Sequence, residues 1–155
     1  MSRIDEARVS DAPHVKLEVY SPPDLARPTF KEATSHDFKP TKKGESFGPS
    51  WSTHWLRICI TVPSHMVHKN HLELHWDANN EGLIWTEDGE PLQGLTGGGE
   101  RIEWVLPDSF RDGKEHVIYI EMACNGMFGN AVGDSIQPPK PDRYFQLQVW
   151  PTLWP

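Results

Sequence analysis

The chain has 155 residues and a net charge of −7, with eight histidines counted as neutral. Its length sets the expectation of one domain, able to bury roughly 70% of the surface its unfolded form exposes, and its acidity excludes nucleic acid and anionic membrane as main partners, since both reward basic patches. A hydrophobic content of 37% with seven tryptophans excludes wholesale disorder, while 14 prolines and 12 glycines point to many short elements separated by turns.

The chain opens on "MSRIDEARVSDAP", which lacks the apolar core of a signal peptide, and no later run reaches the roughly 18 apolar residues of a membrane span. Residues 1–13 are expected to be a flexible N-terminus and the protein to be cytoplasmic. Prolines at 13, 22, 23, 28, 40 and 49 forbid long helices, so the early chain is expected to lie extended along a sheet, with "HVKLEVY" as one strand. In "HWLRICITVP" the residues Leu56, Ile58, Ile60 and Val62 alternate with Trp55, Arg57, Cys59 and Thr61, the period of a strand. "HLELHW" repeats the pattern through Leu72, Leu74 and Trp76. "GLIWTEDGEPLQGL" sets two apolar runs around Asp88-Gly89, a dipeptide suited to a tight hairpin.

"RIEWVLP" alternates again, and "FRDGKEHVIYIEMA" supplies a turn at Asp112-Gly113 before a strand too apolar on both faces to be a sheet edge. "DRYFQLQVW" reads as a closing strand. Seven or eight short strands with regular turns and no convincing amphipathic helix predict an all-β fold, a β-sandwich of jelly-roll type over residues 14–149.

Catalytic constellations are weak. His65, His68, His71 and His75 surround a turn and a strand without the helical spacing that puts two imidazoles on one metal. Cys59 and Cys124 fit no metal spacing and read as buried free thiols. Ser50, Ser52 and His54 lack a nucleophile elbow, and "GLTGGGE" lacks the Lys-Ser/Thr of a phosphate loop, leaving a turn between strands as its reading. Carboxylate pairs for glycoside chemistry could be drawn from Asp77, Glu81, Glu87 and Asp88, but acidic residues near turns are usually just solvated. Tryptophans are expected mostly to fill the sandwich, with each buried indole N–H on an acceptor. The sharper reading is a saccharide shelf made by Trp76, Asp77, Asn79, Glu81 and Trp85, where aromatic faces stack on a sugar ring and carboxylates and amides take its hydroxyls.

Three longer stretches carry a resemblance: "FGPSWSTHWLRICITVP", "LELHWDANNEGLIWTEDGEPLQGLTGGGERIEWVLP" and "YIEMACNGMFGN…IQPPKPDRYFQLQ". Together, from about His14 to Gln148, they resemble the N-terminal domain of class II α-mannosidases of the cytosolic and fungal vacuolar type. The resemblance implies a galactose-binding-like β-sandwich ahead of a zinc-dependent glycoside hydrolase module, without catalytic residues or a cofactor of its own. It also implies the catalytic module or a neighbouring subunit as partner, mannose-containing oligosaccharide as a further one, and a vacuolar location reached by a non-secretory route as an alternative to the cytoplasm. On this reading the apolar loop "ACNGMFGN" is an interface, with Asn125, Met127 and Phe128 as its contact residues. A freestanding carbohydrate-binding module and a scaffold for oligomers or receptor recognition are the rival expectations. After "RYFQLQ" the chain departs from the family's continuation, and "VWPTLWP" is expected to be an atypical tail over residues 150–155, the mark of a truncated or short product.

Overall fold

The computed structural model describes residues 14–125 and 141–147, and the backbone of residues 149–154. The strands of three or more residues are β1 (Val15–Tyr20), β4 (Thr53–Thr61), β5 (Glu73–Asp77), β6 (Glu81–Thr86), β7 (Pro91–Thr96), β8 (Glu103–Val105), β9 (Glu115–Ala123) and β11 (Val149–Trp154). Two-residue strands are β2 (Lys39–Pro40), β3 (Ser46–Phe47) and β10 (Phe145–Gln146), and the helical elements are α1 (Phe30–Thr34) and a 3-10 turn at Asp108–Phe110. A six-stranded sheet, ordered β2-β1-β4-β9-β6-β7, faces a three-stranded sheet β11-β5-β8, with β3 and β10 forming a separate pair. Every strand pair is antiparallel.

Alternation decides which side chains fill the space between the layers. Leu56, Ile58 and Ile60 of β4 meet Ile118, Ile120 and Met122 of β9 and Leu17 of β1 from one sheet, and Leu74, Trp76 and Trp104 from the other. The expected inward set of β4 is therefore the core set, and β9, paired with both β4 and β6, is internal.

The other face of the large sheet is also covered, which explains why β9 is apolar on both sides. Trp55 and Tyr119 are buried there beneath Ala33 and pack with Tyr20, Phe30, Phe38 and Trp85. Phe30 stacks on Trp85 at 5.5 Å between centroids and meets Tyr119 edge-on at 5.4 Å. The early arm does lie along a sheet, but it carries α1, a helix that period-based reading passes over at five residues. Its signal was local. Thr29 accepts from the Glu32 N–H while the Glu32 carboxylate accepts from the Thr29 N–H, a capping box spelled by "TFKE". Hydrogen bonding from Thr29, its backbone N–H first and then its side chain, holds the Glu32 carboxyl below its usual range.

The Asp88-Gly89 turn joins β6 and β7 as expected, with Gly89 at φ +92°, a conformation that glycine adopts without a Cβ penalty. The expected tail is a correction. Residues 149–154 are strand β11, antiparallel to β5 with Val149 opposite Asp77 and Trp154 opposite Glu73 and a register shift between them. Pro151 is accommodated because proline is compatible with an edge strand, and β11 ends its sheet.

Candidate functional site

The starts of β4 and β6 and the ends of β7 and β9 lie at one end of the large sheet, since Thr53 and Glu81 both face Ala123 and Glu81 also faces Thr96. The loops at this end are bound to one another. Trp51 N–H donates to the Cys124 carbonyl at 2.9 Å and Cys124 N–H to that of Ser52 at 3.0 Å. A Cβ on Gly48 would lie 2.8 Å from the Arg143 carbonyl oxygen and from the Tyr144 ring, so Gly48 and residues 143–144 are in close contact. Asn125 donates its amide to the Glu81 carboxylate. Asp77 is buried and accepts three backbone N–H groups, from Asn79 at 2.7 Å and from Gly98 and Gly99 at 3.0 Å each.

This end holds strained backbone and exposed aromatics together. Trp51 and Asn79 sit in the left-handed region at φ 69° and 57°, where a side chain costs free energy. Trp51 is 47% exposed and Tyr144 60%, so both rings stand in solvent. Neither residue stood out in the sequence; "PSW" and "DRY" carry no signal beyond aromatic content.

The residues of the expected saccharide shelf are not brought to one surface. Trp76 is 1% exposed inside the sandwich, and Trp85 lies on the opposite face of the large sheet beneath Phe30. Asp77 is occupied by the glycine loop and Glu81 by Asn125, which leaves Asn79 as the exposed member of the set. The physical reason is that alternation puts Trp76 inward on one layer and Trp85 outward on the other. Carboxylates fare similarly: Glu81 begins β6, whereas Glu87 and Asp88 follow its far end. Of the expected interface residues, Asn125 is at the loop end, while Met127 and Phe128 lie outside the described residues.

The indole N–H groups of Trp55, Trp76 and Trp85 have no acceptor among the described residues, contrary to the expectation that each finds one. Burying roughly 200 Å² of aromatic surface stabilises by about 5 kcal/mol, which outweighs an orphan donor at about 1–3 kcal/mol.

His54 is buried beneath the same loops. Ser52 Oγ donates to the Pro49 carbonyl at 2.6 Å and so accepts from His54 Nε2 at 3.0 Å, which leaves Nδ1 to accept from Ser21 Oγ at 2.8 Å. Burial pushes the imidazole pKa down, in keeping with a neutral ring. Burial likewise pushes the Cys124 thiol up, away from the thiolate needed for nucleophilic chemistry. His71 and His75 each bond one oxygen of Glu73, at 2.7 and 2.8 Å, and hold that carboxyl below its usual range. Among the described residues no group of three His, Cys, Asp or Glu side chains could hold a metal ion.

A family model described as "Alpha-mannosidase, jelly roll domain" matches residues 12–150. The chain belongs to this family. The α-mannosidase jelly roll described above is 43% identical over 120 residues to human "Alpha-mannosidase 2C1", covering 76% of this chain and 11% of that protein. It is 39% identical over 171 residues to an "Alpha-mannosidase" of Saccharomyces cerevisiae, covering 97% of this chain and 15% of the relative. The Dictyostelium discoideum protein "Alpha-mannosidase G" is 39% identical over 141 residues, covering 89% of this chain and 12% of its own length. The chain thus spans between 11% and 15% of these relatives. No helix among the described residues is long and apolar enough to cross a membrane.

Proposed function

We propose that this jelly roll is a non-catalytic accessory domain of a zinc-dependent α-mannosidase, packing through its loop end against the catalytic module or a neighbouring subunit. The observation that carries the reading is the loop end itself. Trp51 and Tyr144 are exposed on a backbone fixed by hydrogen bonds to Cys124 and by close contact with Gly48. Exposed aromatics on a rigid frame are the residue types that anchor interfaces, because little conformational entropy is lost when they are covered.

In this reading the complete enzyme removes terminal α-mannose, and its zinc and carboxylates reside in the catalytic module. The domain serves packing and substrate positioning. It assigns no sugar-binding shelf to Trp76 and Trp85, which are occupied in the two hydrophobic clusters. Synthesis is cytosolic, with delivery to a vacuole by a non-secretory route as the alternative destination.

The test is Trp51→Asp in the full-length mannosidase that carries this chain. Because Trp51 is 47% exposed, the substitution should leave the melting temperature of the isolated chain within a degree or two, as surface changes do. Loss of mannosidase activity or of oligomer size on gel filtration is the expected result. Full activity with unchanged assembly overturns the reading.

A further inference from the structure

At the far end of the sandwich from Trp51, between the two layers, lies an open cleft of about 220 Å³. Its apolar walls are Leu92 of β7, Trp104 of β8, Phe110 of the 3-10 turn with Pro107 just before it, and residues 117–118 of β9; Thr86, Glu87 and His116 form the polar remainder. Trp104 and Ile118 also belong to the hydrophobic core, so the cleft is a gap that the side chains of the described residues do not close. Phe110 is fixed edge-on to Trp104 at 5.9 Å and stacked on His116 at 4.4 Å, and His116 is bonded in turn to Asp112 at 2.8 Å. The floor is therefore built rather than loose.

Two features beside the cleft suit an extended occupant. β7 and β8 are the terminal strands of their sheets, and the Gln93 amide of β7 donates to the Glu103 carbonyl of β8 at 2.8 Å. Gly94 on β7 has open space where a side chain would project. Leu92 is 46% exposed and Val105 of β8 51% exposed, so each edge presents one apolar side chain to solvent.

Charge selects the occupant. Glu87, Asp88, Glu90, Glu103 and Asp108 are exposed around this side of the domain. Of the nearby cations, Arg111 is engaged by Asp108 and by the Lys69 carbonyl, while Arg101 and Lys114 are exposed, fewer than the exposed carboxylates. A surface of this sign repels acidic sequences and attracts basic ones.

We propose that the Leu92–Trp104–Phe110 cleft is a docking site for an extended, basic segment of a separate protein, which inserts one large apolar side chain between the sheets and places its cationic residues against the Glu87–Glu90 turn and Glu103. In such a complex the cleft holds the apolar anchor and supplies selectivity, while the open space at Gly94 on β7 leaves room for the bound segment. The site is independent of the loop end and of the packing role assigned there.

The experiment is selection of a random linear peptide library displayed on phage against the 155-residue chain, with Leu92→Arg and a Glu87→Lys/Glu90→Lys double variant as parallel targets. Unchanged melting temperatures establish that these exposed substitutions leave the fold intact. The expected result is a consensus with net positive charge and one large apolar residue. A synthetic consensus peptide should bind the Leu92→Arg variant about tenfold more weakly or worse, the loss expected for one apolar anchor. The double variant and added salt should weaken it as well. Three results overturn the proposal: no enrichment above the Leu92→Arg target, peptides that bind that variant as well as the parent chain, or a consensus without positive charge. A parent-chain dimer in sedimentation velocity that Leu92→Arg dissolves also overturns it, by giving the cleft to a second copy.

Discussion

Replacing Asp77 tests whether this carboxylate is a structural clamp rather than a ligand group. Its Oδ1 accepts from Asn79 N–H at 2.7 Å and Gly98 N–H at 3.0 Å, and its Oδ2 accepts from Gly99 N–H at 3.0 Å. Hydrogen bonds to a charged group contribute about 1.5–3 kcal/mol each. The three share one carboxylate and are not additive, and Asn79, Gly98 and Gly99 are exposed enough for water to replace the lost acceptor. Asp77→Ala should therefore lose about 2–4 kcal/mol. Asp77→Asn keeps an oxygen for Asn79 and Gly98 but turns an NH₂ toward the Gly99 N–H, for a loss of about 1–2 kcal/mol. Urea unfolding should show both as a lower midpoint at constant slope. Hydrogen exchange at Gly98 and Gly99 should speed up in the alanine variant. An alanine variant within about 0.5 kcal/mol of the parent, or an asparagine variant as damaging as alanine, refutes the clamp.

Gly97→Ala should destabilise by about 2 kcal/mol or more, because the added Cβ would lie 2.6 Å from the backbone of Asn79 and Asn80; an unchanged thermal midpoint refutes that close approach. Phe30→Ala removes the ring that joins Trp85, Trp55 and Tyr119 on the outer face and should cost about 2–4 kcal/mol with a red shift in tryptophan emission; parent-like stability and emission would show that α1 does not cover that face. Burial lowers the folded-state pKa of His54, so below the unfolded value near 6.5 the unfolded chain binds more protons than the folded one. This contribution is fully present above about pH 6.5 and is lost as pH falls through the window toward the lower folded pKa. His54→Gln should flatten the stability profile on that acid side, and parallel profiles for parent and variant refute the assignment.

Much of the fold was written locally. In β4 the period-two pattern of Leu56, Ile58 and Ile60 named the core face, and Asp88-Gly89 named its hairpin. The apolar character of both faces of "HVIYIEMA" named an internal strand. These readings succeed because alternation and turn conformation are properties of neighbouring residues. The helix α1 was legible too, in the capping box "TFKE", but a five-residue helix is shorter than any period search detects.

The candidate site was much less legible. Period two assigns Trp55 and Trp76 each to one face of its own strand, but it does not say what covers that face. The side of β4 bearing Trp55 and Arg57 is buried at Trp55 only because residues of the early arm, Phe30 and Ala33, fold over it. The same holds for Asp77 and Trp51. Asp77 looked available for a ligand until the loop at Gly98 and Gly99, about twenty residues further along the chain, supplied its N–H donors. Trp51 became an exposed candidate through its bond to Cys124, far away in sequence. Sequence by itself determined the all-β class, the core faces of the main strands, the principal hairpin and the family. Tertiary structure alone decided which tryptophans are buried, which carboxylates are already engaged, and where the exposed aromatics and the apolar cleft lie. Those properties depend on contacts between segments distant in the chain, and no local pattern encodes them.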